Sequence, residues 1–154
     1  MTFFVPIFFV WLTFFAGCAA KENAQVSSED GSDGFLRPLG QGICQDVRNG
    51  RMWQVERGGK FHSSQEAQQY VANLRLGGHS DWRMPTQAEL FDLYYIYFWH
   101  NNGDCDLENK GNYWAMDDQG NPTVGHWETY YLCGPNFKYN ESLRRKGYVR
   151  AVRQ

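Results

Sequence analysis

Gly77-Gly78-His79-Ser80-Asp81-Trp82-Arg83-Met84-Pro85-Thr86-Gln87-Ala88-Glu89-Leu90-Phe91-Asp92-Leu93 contains a stop, an inward-turning corner and a start. Gly77 and Gly78 can take the left-handed conformation that ends a helix. Thr86 and Glu89 have the spacing of a capping box, in which hydroxyl and carboxylate reciprocally satisfy backbone N–H groups. Pro85 stands one residue before that cap and pushes Met84 into an extended conformation. Between stop and start, the aromatic Trp82 lies between two opposite charges, Asp81 and Arg83. The stretch predicts helix, corner, helix, with Trp82 driven inward and the two charges tying down backbone or each other.

Upstream of the corner, Ser63 and Glu66 repeat the capping-box spacing, and Ala67, Tyr70, Val71 and Leu74 recur on one helical face. Before that helix, Ile43 to Glu56 reads as a β-hairpin, with Asn49-Gly50 at a two-residue turn and Met52, Trp53 and Val55 as strand formers. Downstream, the helix from Gln87 carries Leu90, Leu93, Tyr94 and Tyr97 on one face, with Phe91, Tyr95 and Phe98 beside it. So much aromatic surface serves either a ligand platform or a core helix. Burial of large area favours the core helix. Asn112–Met116 and Thr123–Cys133 predict two strands joined by the turn residues Asp117 to Pro122, and Gly134-Pro135-Asn136 predicts a further turn. Gly147–Arg153 predicts the last strand. The order is hairpin, two helices, then strands, an α+β domain whose two helices pack beside an antiparallel sheet of hairpins.

The first 34 residues have another character. Phe3 to Gly17 is an apolar run of 15 residues ending in Ala16-Gly17-Cys18, short for a membrane span of about 20 residues. Small residues before a cysteine predict a lipoprotein signal, residues 1–18, with Cys18 lipidated; a plain secretory signal or an uncleaved anchor are the alternatives. Residues 19–34 hold almost nothing to bury, and Lys21 against Glu22, Glu29, Asp30 and Asp33 leaves a charge of −3. They predict a disordered tether. The domain proper is then 35–154. The whole chain, 154 residues with 42% hydrophobic and 17% aromatic content, supports one core, and a net charge of −2 argues against a nucleic-acid binder.

Several motifs together carry a family resemblance. Asp81-Trp82-Arg83-Met84-Pro85-Thr86 with Glu89-Leu90 resembles the Asp-Trp-Arg-Leu-Pro-Thr…Glu-Leu pattern of the Lcl C-terminal domain family. Asn49-Gly50-Arg51-Met52-Trp53 is similar to that family's Thr-Gly-Leu-Met-Trp, Tyr113-Trp114 to its Tyr-Trp, and Tyr148 to Arg153 to its terminal Val-Arg-Cys-Val-Arg, with Ala151 in place of the cysteine. The resemblance covers roughly Gly42 to Arg153. A more distant likeness links the corner to the Arg-Leu-Pro-Thr motif of formylglycine-generating enzymes. What the resemblance implies is a C-type-lectin-like fold, with Trp53, Asp81, Trp82, Arg83, Pro85, Thr86, Glu89, Trp114, Arg150 and Arg153 as its structural signature. In such folds a long loop is commonly stapled to a strand end, so the resemblance favours a Cys105–Cys133 disulfide with Cys44 buried and unpaired. The residues alone allow three pairings.

The residues that could carry chemistry are sparse. There is no Cys-x-x-Cys, no helical metal pair among His62, His79, His100 and His126, and no nucleophile elbow or phosphate loop. Asp104, Asp106 and Glu108 alternate like the opening of a calcium loop, but Asn109 stands where glycine is needed and no closing glutamate follows. A structural calcium is a minor expectation, and otherwise no cofactor or metal is expected. Charge is the stronger signal. Residues 101–133 carry −5, and residues 137–154 carry +5. The two segments either face each other or leave a basic zone, Lys138, Arg144, Arg145 and Lys146, whose guanidinium forks match sulfate or phosphate oxygens. The expectation is a non-enzymatic binding or adhesion module on a bacterial envelope, held at the outer membrane by its lipid. Its ligand is a sulfated or phosphorylated glycan or a partner protein; oligomerisation is left open. A structural docking subunit and a divergent enzyme are the alternatives.

Overall fold

Thr86 opens a helix as its spacing predicts. In a computed structural model of the chain, which describes residues 34–130, 134–140 and 146–154, its hydroxyl accepts from Glu89 N at 3.1 Å and Glu89 Oε2 accepts from Thr86 N at 2.9 Å. Both halves of the capping box are made. This helix is α2, Gln87–Phe98; the one before it is α1, Ser64–Asn73. At α1 only half the expected box forms: Ser63 Oγ accepts from Glu66 N, but the Glu66 carboxylate reaches His62 N instead. The helices also stop differently from expectation. Helix α1 ends at Asn73, and Gly77-Gly78, with φ of 59° and 77°, form the tight turn of a miniature hairpin in which Leu76 and His79 exchange backbone hydrogen bonds. The positive φ favours glycine at 77, and a Cβ there would also stand 2.1 Å from Ile43 Cδ1, so that methyl would have to shift.

Trp82 is turned inward, 4% exposed, and its indole N–H donates to Leu76 O at 3.2 Å. Truncating it removes a large aromatic from a packed core, so Trp82→Ala should destabilise by about 3–5 kcal/mol, whereas Thr86→Ala, which removes one cap bond, should cost about 1 kcal/mol. Urea midpoints of the two variants check both figures. Equal effects would mean that the corner is held by its cap and not by the indole.

Two antiparallel sheets flank the helices. The first has the order β1-β2-β3-β7, with β1 Leu36–Gly40, β2 Ile43–Asp46, β3 Met52–Gln54 and β7 Val152–Arg153. The second is β4 Asn112–Met116, β5 Pro122–Tyr130 and β6 Gly134–Asn140, in that order. The α+β arrangement is therefore as the sequence predicts, with differences in detail. The hairpin connection is longer than two residues, running from Asp46 to Arg51, because the buried Asp46 carboxylate gathers Arg48 N, Arg48 Nε and Nη2, and Asn49 Nδ2 around it. Gly134-Pro135-Asn136 begins a strand instead of a turn. The last strand shrinks to two residues, preceded by single bridges from Gly147 to Phe61 and from Tyr148 to Tyr113.

The buried side chains form two clusters. Under α2, Leu90, Leu93 and Ile96 pack on Leu36, Cys44, Trp53, Tyr113 and Val152. Under α1, Ala67 and Val71 pack with Trp82, Met84, Trp114, Val124 and Val149. Burying such side chains is the main driving force for this arrangement.

Candidate functional site

The C-terminal half of α2 and the loop that follows it enclose a cleft of about 860 Å³. The helix contributes Tyr94, Tyr97 and Phe98, the loop Asn102, Asn109 and Lys110, and β5 contributes His126 and Trp127. An irregular loop can line a cleft only if something fixes it, and here four side chains do. Tyr97 OH donates to Cys105 O at 2.6 Å and accepts from Leu107 N at 2.9 Å. Tyr94 OH donates to Asn109 O at 2.8 Å, Tyr113 OH to Glu108 O at 2.6 Å, and the Arg150 guanidinium also donates to Glu108 O. The aromatic wall is continuous, with the Trp127 indole stacked on Tyr94 at 3.5 Å between ring centroids and 19° between planes.

Chemically the cleft is aromatic, amide-lined and cationic. Its lining includes Lys110 and the imidazoles of His100 and His126, with no carboxylate among the described lining residues. Burial pushes the Tyr97 phenol up to about 12 and raises that of Tyr94 as well, so both are neutral hydrogen-bonding groups at ordinary pH. Outside the lining, Glu128 takes an ion pair from Lys138 at 2.7 Å and contacts His126 Nε2 at 3.2 Å.

The disulfide needs correction. Cys105 bonds to Cys44, with 6.2 Å between Cα atoms, and not to Cys133. The register of β2 against β3 turns Cys44 inward, and the loop after α2 delivers Cys105 into the same core cluster. Cys44 is thus buried as expected but paired. Cys133 lies outside the described residues, as do Cys18, Arg144, Arg145 and residues 19–33 of the tether. Lys138 and Lys146 are exposed; Lys146 O accepts from Asn112 Nδ2, which places the start of the segment after the basic loop at the cleft rim.

Arg150 and Arg153 are structural. Arg150 is buried on backbone carbonyls, and Arg153 makes a two-pronged pair with Asp81, at 2.8 and 3.1 Å. Arg83 and Glu89 make the matching pair at 2.7 and 2.6 Å. Trp53, Trp114 and Pro85 lie buried. Glu108 binds Arg57 at 2.6 Å, and no group of three or more potential metal ligands occurs among the described residues. Nor is any described helix long and apolar enough to cross a membrane.

Glu89 also predicts a pH effect. Burial opposes its ionisation, but hydrogen bonds from Arg83 and Thr86 N and the charge of Arg51 outweigh it, holding its pKa below the usual carboxylate value. A folded-state pKa below the unfolded one gives stability that is present above about pH 4.3 and is lost as pH falls through the folded value. Acid titration of the urea midpoint should show this loss, and Glu89→Gln should flatten it.

The cleft residues were visible to sequence reading only as aromatic density on α2. The signal that could have found them is that aromatics occur on more faces of this helix than one core can cover.

The family model of the Lcl C-terminal domain matches residues 42–153. No curated protein and no solved structure matches the chain.

Proposed function

The chain belongs to the Lcl C-terminal domain family, and from that premise we propose that it is a non-enzymatic binding module, held at a bacterial envelope through Cys18, that recognises an anionic glycan. The cleft carries this reading. Aromatic faces suit the apolar faces of sugar rings, the amides of Asn102, Asn109 and Asn112 suit hydroxyls, and Lys110 suits sulfate or phosphate. The absence of a lining carboxylate among the described residues removes a source of repulsion for such a ligand. Lys146, exposed at the rim, adds a further positive charge for a polymer longer than the cleft.

Exposed charge contacts are screened within about 8–10 Å, so binding should weaken steeply with salt. The full chain should be retained on immobilised heparin at low salt. Lys110→Glu, which reverses an exposed charge at the cleft, should lower retention about tenfold, which corresponds to about 1.4 kcal/mol. The triple exchange Arg144→Glu, Arg145→Glu, Lys146→Glu should lower it further without a large change in melting temperature. No retention of the parent chain would overturn the glycan reading in favour of docking to an envelope protein.

A further inference from the structure

Helix α2 carries more aromatic surface than its two packing partners cover. Leu90, Leu93 and Ile96 face the core, and Tyr94, Tyr97 and Phe98 face the cleft. Phe91, Tyr95 and Trp99 remain, 41%, 43% and 55% exposed, four residues apart and so aligned in one stripe. Their rings touch in sequence, 6.1 Å from Phe91 to Tyr95 and 5.9 Å from Tyr95 to Trp99. Beside them Asp92 is neutralised by Arg48 at 2.9 Å and Arg51 at 3.6 Å, so that carboxylate does not break the apolar stripe. A contiguous exposed aromatic patch marks an interaction surface.

The place where the chain enters the domain indicates what covers it. Phe35 N donates to Asn101 O at 2.7 Å, two residues beyond Trp99. Gly34 lies so close to Gly103 that a Cβ on it would stand 2.2 Å from Gly103 N. The entry is therefore pinned to the Trp99 end of the stripe, where Phe35 is itself 39% exposed. Residues 19–33 reach ~50 Å fully extended and ~20 Å as a coil. A lipid on Cys18 would thus keep this end of α2 near the bilayer at high effective concentration. The stripe has the matching composition, since Tyr and Trp settle where one side is apolar and the other wet, at headgroup level.

We propose that the Phe91–Tyr95–Trp99 stripe docks the domain onto the phospholipid bilayer to which Cys18 anchors it, an inference that rests on the envelope-anchor reading above. Phe91 lies 6.2 Å from Trp127 between ring centroids, so the stripe borders the cleft. Docking therefore holds the cleft at the level of the membrane surface, where it meets polymers lying along that surface.

The test uses the full acylated chain in phosphatidylcholine vesicles brominated near the headgroup end of the acyl chains. Tryptophan emission should be quenched, and Trp99→Phe should remove most of the quenching that comes from the domain. In a second measurement the mature chain from Ala19 to Gln154, without the apolar run 3–17 and without lipid, is titrated with plain phosphatidylcholine vesicles. Its weak partitioning should fall about tenfold when Phe91, Tyr95 and Trp99 are all changed to serine. Unchanged quenching in Trp99→Phe, or equal partitioning with and without the three serines, overturns the proposal. So does a stripe variant that turns an oligomer into a monomer, which would assign the face to a second copy of the chain. Failure of fatty-acid labelling at Cys18 sinks the anchor reading separately, because partitioning of the lipid-free chain 19–154 still reports on the stripe.

Discussion

Arg150→Ala is expected to destabilise the domain by about 3–5 kcal/mol. Arg150 is 2% exposed, and its guanidinium donates to three backbone carbonyls, Gln54 O at 2.7 Å, Val55 O at 2.5 Å and Glu108 O. Those carbonyls belong to the end of β3, the residue after it and the loop under the cleft. Alanine would leave Gln54 O and Val55 O facing a hole, while Glu108 O keeps its bond from Tyr113 OH, and an unsatisfied buried acceptor costs about 1–3 kcal/mol. Lysine tests the geometry. Its single ammonium cannot span the fork-shaped arrangement, so Arg150→Lys should recover only part of the loss. Urea denaturation of the three proteins gives the comparison. If Arg150→Ala lies within 1 kcal/mol of the parent, the guanidinium is not the hub that its contacts describe.

Cys44→Ala should cost about 4 kcal/mol in the loop-entropy account, because the bond joins residues separated by 61 positions. It should also reduce heparin retention, since the loop carrying Asn102, Asn109 and Lys110 would lose its covalent attachment to β2. Cys105→Ala should match it in both respects, and the double variant should be no worse than either single one. Peptide mass mapping of the unreduced protein should recover a Cys44–Cys105 link. A link from Cys105 to Cys133 would overturn the assignment.

Local chemistry made much of the fold legible. Asn112–Met116 is a strand with the predicted bounds, and Thr86 and Glu89 make their predicted box. What stayed hidden depends on distant partners. Leu36-Arg37-Pro38-Leu39-Gly40 has a proline, a glycine and one buried side chain, so nothing local marks it as β1; it is a strand because β2 pairs with it. Gly134-Pro135 looks like a turn until β5 supplies the pairing. The cysteine partner was set by the β2 register, which fixes the direction of Cys44 and leaves no trace in sequence spacing. At the cleft, sequence reading found the charge segment nearby but placed the aromatics of α2 in the core. That placement holds for Tyr94, which is buried, and for Tyr97, which packs against the core; what it missed is that both rings also line the cleft.

One pairing has a temporal meaning. Met52 pairs with Arg153 and Trp53 with Val152, and Arg83 exchanges two backbone hydrogen bonds with Val152, each 3.0 Å. These contacts join segments separated by most of the domain's length. A chain emerging from its N-terminal end must therefore wait for residues 147–153 before either core can close. Until then Met52 and Trp53 sit on an unpaired strand edge, open to wrong partners. Folding governed by so distant a pairing should be slow relative to that of a helical domain of similar size. A stop codon at Tyr148 would remove few residues yet release a product that cannot complete its sheet, and quality control would meet it as an unfolded chain.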